Sequence, residues 1–96
     1  MKQTIINAIQ NKEAISFSYS GISRVVEPHA IGISSKGNTV LRCFQISGGH
    51  IQAGHGWELC DVSKISNLAS TGEYFENARP GYKRGDKGMT TIYAEL

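Results

Sequence analysis

Three histidines, two cysteines, a pair of arginines inside apolar segments and one basic run are the chemically capable side chains of this 96-residue chain. His50 and His55 share a loop that contains no Cys, Asp or Glu, and His29 lies far upstream. A structural zinc site takes four ligands at close spacing, so these histidines do not make one and no metal is expected. Serines are frequent, yet none stands in the G-x-S-x-G setting of a nucleophile elbow. Gly48, Gly49, Gly54 and Gly56 lack the Gly-Lys-Ser/Thr ending of a phosphate loop. No catalytic residue and no cofactor is assigned.

What remains is recognition. Arg24 and Arg42 fall in stretches otherwise rich in apolar residues, where an unpaired arginine is expensive to bury. Each must reach solvent, a carboxylate such as Glu27, or a ligand. Together with His29, Gln45, Ser47 and Trp57 they form a candidate ligand-binding set. Guanidinium forks suit phosphate oxygens, and an indole can stack a base. The alternative is a surface ion pair for each arginine and a place in the core for Trp57. Further on, Arg79, Lys83, Arg84 and Lys87 surround Tyr82, with Asp86 the one acid among them. That run is either a solvated tail or a basic arm, with Arg79, Tyr82, Lys83 and Arg84 as its candidate phosphate contacts.

Composition bounds these readings. The length suits one domain, and 40% apolar against 19% charged residues excludes a disordered chain. A net charge of +2 is too small to declare a nucleic-acid binder by itself. Cys43 and Cys60 make no disulfide framework, and no export signal precedes them. No apolar run approaches the roughly 20 residues of a membrane span. These features lead to an expectation of a cytoplasmic, soluble protein with no membrane contact and buried free thiols.

The elements that must position these residues follow from periodicity. Ile5, Ile6, Ala8 and Ile9 give residues 4–12 one apolar helical face, with Thr4 as N-cap. Ile15, Phe17 and Tyr19 then alternate with serines, predicting a strand that ends at a Ser20-Gly21 turn. The next strand should break or bend at Pro28, which has no N–H for a ladder, and resume near His29. After a turn over residues 34–38, Thr39–Ser47 should place Leu41, Cys43, Gln45 and Ser47 on one face. Trp57–Val62 should pair back upon it. With Ser47 opposite Trp57, the two thiols point to opposite faces. Residues 68–77 read as a connector anchored by Tyr74 and Phe75. The ending, with Met89, Ile92, Tyr93 and Leu96 spaced for a helical face, reads as a helical turn rather than a strand. The fold class is mainly β with an N-terminal helix, closed as a small bent antiparallel barrel. Residues 1–78 form that domain and 79–96 a basic C-terminal extension.

The run Ile15-x-Phe17-x-Tyr19, followed by Arg24-Val25-Val26-Glu27-Pro28-His29-Ala30-Ile31, resembles the extended motif of WYL domains. Val62-Ser63-Lys64-Ile65 is similar to that family's closing segment, so the likeness spans roughly residues 5–68. WYL domains are small Sm-like β-barrels found in bacterial transcription regulators and phage-defence systems. Thr39-Val40-Leu41 stands where the name-giving triplet should be, and keeps only its Leu. The family's later arginine is missing near Glu58, and Arg42 is the candidate to replace its charge. The resemblance implies a ligand-binding, regulatory module without its usual winged helix, taking a nucleotide or short single-stranded nucleic acid. It also implies a possible edge-to-edge homo-oligomer. The alternative is a protein-interaction module that docks a partner at an edge near Pro28 or through the glycine-rich loop.

Overall fold

The computed structural model describes residues 1–49 and 56–96. Residues 50–55 of the glycine-rich loop, with His50 and His55, lie outside them. Helix α1, Lys2–Asn11, buries Ile5, Ala8 and Ile9, the i, i+3, i+4 stripe that an amphipathic helix turns to a core. The helix begins at Lys2, so Thr4 is not its cap; Met1 holds that place with no side-chain bond. It ends at Lys12, whose left-handed φ of 54° turns its N–H back onto the carbonyls of Ala8 and Ile9.

Six antiparallel strands follow: β1 Glu13–Tyr19, β2 Ile22–Ile33, β3 Thr39–Gly48, β4 Trp57–Asp61, β5 Ile65–Tyr74 and β6 Thr91–Glu95. A 3-10 turn, Val62–Lys64, joins β4 to β5. The sheet runs β4-β3-β2-β1-β5, with β6 also on β2. No ladder joins β4 to β5 among the described residues, so the sheet is open where a closed barrel was expected. Ser20 and Gly21, with φ of 54° and 75°, make the two-residue turn that the right-handed twist of a hairpin favours.

β2 carries the architecture. It pairs with β3 along most of its length, from Arg24 to Ile33. On its other side, β1 covers Ile22–Val26 and β6 covers Ala30–Ile33. Pro28 therefore stands where one neighbour has ended and the next has not begun. The expected interruption is instead a register shift between Pro28 and Ala30 inside one continuous strand, the bulge that a proline in a sheet calls for. Gly32 lets the last strand come close: a Cβ there would meet the Thr91 carbonyl oxygen and lie 2.9 Å from the Met89 sulfur.

Two segments differ from their sequence reading. The connector expected over 68–77 is largely β5, and Tyr74 is no anchor, being 68% exposed. Two register shifts against β1, with left-handed backbone at Asn67 and Gly72, erase the period of two that would have announced a strand. The ending is β6 rather than a helical turn. Thr91, Ile92 and Tyr93 have strand preference, and the free side of β2 supplies the ladder that decides the matter.

The core joins Ile5, Ile9, Ile15, Phe17, Val26 and Leu41 with both cysteines, under the helix and inside the bend. β3 alternates as expected, with Leu41, Cys43 and Gln45 inward. Its register with β4 does not: Phe44 faces Trp57, Leu41 faces Cys60 and Cys43 faces Glu58. An odd shift from the expected pairing turns β4 over. Cys43 and Cys60 consequently lie on the same inner face, both as buried free thiols. β3 runs on past Phe44 to Gly48 against β2.

Candidate functional site

The segment after β5 folds back over the body, and His29 is the post it is tied to. The His29 ring is fully buried, stacked with Phe75 at 5.7 Å, edge-on to Trp57 at 4.7 Å and tilted to Tyr82 at 5.1 Å. Its Nε2 accepts the Arg79 backbone N–H at 3.1 Å. The proton must then sit on Nδ1, which donates to the Glu27 carbonyl oxygen at 2.8 Å. Both ring nitrogens are spent, so His29 positions the loop and does not face a ligand.

Burial pushes the His29 pKa below 6.5, the largest cause being desolvation. The folded chain thus keeps a neutral ring at a pH where the unfolded chain takes up a proton. Stability from this residue is full above the unfolded value and falls as pH drops through about 6.5 toward the lower folded value. Thermal melts between pH 7.5 and 5 should show the fall, and a His29→Gln chain should show a flatter profile over the same window.

Beside this post, Arg79 grips Glu27 with two bonds, Nε to Oε1 at 2.7 Å and Nη2 to Oε2 at 3.2 Å. Its guanidinium also lies 4.8 Å from the centre of the Phe44 ring. Trp57 donates its indole N–H to the Pro80 carbonyl at 3.1 Å. The Tyr82 hydroxyl reaches the carbonyls of His29 and Leu96, at 3.4 and 3.3 Å. Arg79, expected to contact phosphate, is a structural clamp.

Past Pro80 the chain rims a cavity of about 360 Å³ walled by Arg42, Trp57 and the loop from Gly81 to Lys87. Arg42 holds Asp86 bidentately, Nε to Oδ2 at 2.6 Å and Nη2 to Oδ1 at 3.2 Å. That ion pair, helped by the Gly88 N–H, keeps the Asp86 carboxyl below its usual range. Arg84 reaches Glu95 at 3.2 Å, with its side chain 72% exposed. Lys83 and Lys87 are exposed, and no carboxylate lies within ion-pair distance of either among the described residues. The rim carries four cations, with Asp86 and Glu95 as the acids paired to it.

The sequence-predicted residues other than His29 and Arg79 fall into two groups. Arg42, Trp57, Tyr82, Lys83 and Arg84 come together at the cavity, joined by Lys87. Arg24, Gln45 and Ser47 do not. Register places Arg24 on the inner face opposite Phe17, over the Tyr19 ring at 5.2 Å and 3.4 Å from Gln45 Oε1. Its Nε is buried without a partner. The Gln45 amide donates to the Ser47 and Gly49 carbonyls, at 3.3 and 2.9 Å. Ser47 and Arg24 line a separate groove of about 260 Å³ with Ser16, Ser18, Ser23 and Asn67.

Among the described residues, no group of three His, Cys, Asp or Glu could hold a metal ion, and no helix is long and apolar enough to cross a membrane. No protein-family model, curated protein or solved structure matches the chain.

Proposed function

We propose that this chain is a non-catalytic binding module of WYL type whose ligand is a nucleotide or a short single-stranded nucleic acid, bound at the cavity rimmed by Gly81–Lys87. One observation carries the reading. Strand residues Arg42 and Trp57 and loop residues Tyr82, Lys83 and Arg84 come from distant parts of the chain to one concave surface with an excess of positive charge. Cations on a concave wall concentrate field and attract polyanions. The return of β5 to β1, which bends the meander on itself, supports the Sm-like part of the reading. The use would be regulatory: sensing or sequestering a nucleotide signal in the cytoplasm, in a defence or counter-defence setting.

The mechanism differs from simple capture by both strand arginines. Arg42 is paired with Asp86 through Nε and Nη2 and frames the site, whereas Lys83 and Lys87 meet the phosphates. Trp57, the only tryptophan, reports binding through its own emission. For a short oligothymidylate, log K should fall linearly with log salt, and Lys83→Ala should flatten that slope by about 0.7, the loss of one phosphate contact on a single strand. A salt-independent affinity would sink the reading.

A second reading, docking on a protein partner, is favoured by the open sheet. The stretch near Pro28 is not the place, since Pro28 and His29 are buried and Arg79 bonds to Glu27 and His29 there. Among the described residues β4, β5 and β6 each pair on one side only, and Tyr74 stands exposed at the end of β5. A homo-oligomer would use the same edges.

A further inference from the structure

The phosphate-binding reading of the cavity leaves open which part of a ligand is recognised. Resting on that reading, we propose that the cavity reads linked phosphates and is indifferent to the base: its ligand class is a linear polyphosphate, free or as the triphosphate arm of a nucleotide.

The argument is about what the wall has left to offer. Trp57 and Tyr82 lie ring against ring, centroids 6.2 Å apart and planes 22° from parallel, so each already occupies the other's stacking position. Trp57 is further hemmed edge-to-face by His29 and Phe44, at 4.7 and 5.4 Å. A base would have to part this stacked pair to lie between its rings. The groups able to read a base edge are also committed. The Trp57 N–H is on Pro80 and the Tyr82 hydroxyl on the carbonyls of His29 and Leu96. Asp86 Oδ2 takes Arg42 Nε, and Oδ1 takes Arg42 Nη2 and the Gly88 N–H.

The uncommitted side-chain groups are cationic, Arg42 Nη1 among them. Lys83 and Lys87 present ammonium charges on flexible stems, and Arg84, tied to Glu95 by a single 3.2 Å contact, leaves most of its fork in solvent. An ammonium is a point charge with rotatable donors, which suits a phosphate oxygen and imposes no orientation on what is attached to it. Asp86 sits on the floor against Arg42 and repels a phosphate from that side, so the anionic chain is held along the rim. Several separated cations call for several anionic groups in series.

The test titrates the full chain with sodium tripolyphosphate, adenosine triphosphate, cytidine triphosphate, adenosine and an oligothymidylate without a terminal triphosphate, at one ionic strength. Tripolyphosphate and both nucleotides should bind within about threefold of one another and adenosine not at all, while a Lys83→Ala/Lys87→Ala chain loses on the order of tenfold or more for every phosphate ligand. Its unliganded melt should stay where it was, since both lysines are exposed. Adenosine triphosphate binding at least about tenfold tighter than tripolyphosphate, or than cytidine triphosphate, would show that a base is read and would overturn the inference while leaving phosphate capture intact. Binding of the oligothymidylate alone would overturn it in favour of a nucleic-acid backbone. If no phosphate ligand binds, the function proposed above fails with it.

Discussion

Replacing Arg79 by alanine should cost about 2–3 kcal/mol of folding stability, less than a fully buried pair because the arginine is partly solvated. Its partner is the reason. The Glu27 side chain is 8% exposed, whereas that of Arg79 is 40% exposed. Both oxygens of a sunken carboxylate rest on one fork, and truncating the fork leaves a charge with neither water nor counter-ion. The effect should also spread, because the Arg79 backbone N–H is the donor on His29 Nε2. Chemical denaturation would give the loss, and the emission of Trp57 would shift in the native baseline as the loop that covers it loosens. The pairing is tested by adding Glu27→Gln to Arg79→Ala: most of the loss should return. If the double change is no better than the single, the bond is not what holds the loop.

A gain is expected at Arg24. Three ion pairs join the basic and acidic side chains of the described residues, and Arg24 is in none of them. The residues outside the description, His50–His55, include no Asp or Glu, so nothing there can supply the missing charge. The residue is 9% exposed, with an orphaned Nε and one long bond to Gln45. Replacing poorly paired buried ions by apolar groups of similar size is commonly neutral or stabilising by about 1–4 kcal/mol. Arg24→Met should therefore stabilise by about 1–2 kcal/mol, and in a domain of this size each kcal/mol raises the melting temperature by roughly 4–8 °C. Methionine keeps the length of the stem over the Tyr19 ring. A lower melting temperature would mean that the contacts with Tyr19 and Gln45 outweigh the desolvation.

Much of the fold was legible where one local rule acts alone. The helix announced itself by Ile5, Ala8 and Ile9, β1 by its alternating serines, and the first hairpin by Ser20-Gly21. Long-range pairing was not legible. β5 hides its period behind two register shifts and left-handed backbone at Asn67 and Gly72. β6 is a strand because β2 has a free side some 60 residues upstream, which no window of sequence contains. The candidate site divides along the same line. The charge of Arg42 and of the run after Arg79 could be read from residue type, and their meeting at one cavity could not. His29 and Arg79 misled for a related reason: a titratable ring and a basic side chain look available in a sequence, and only the fold shows the Glu27 carbonyl, the Arg79 amide and the Glu27 carboxylate that use them up.

The two neighbours that share one side of β2 also bear on how the chain is made. During synthesis β1, β2 and β3 leave the ribosome early and can pair as they appear, but the Ala30–Ile33 edge has no cover until Thr91–Glu95 has emerged. Throughout that interval a nascent chain presents an unpaired apolar edge, the kind of surface that seeds association between chains on neighbouring ribosomes. A stop codon before Thr91 would make that exposure permanent. Such a product should be recovered in inclusion bodies or bound to chaperones, even though every residue of the earlier strands is present.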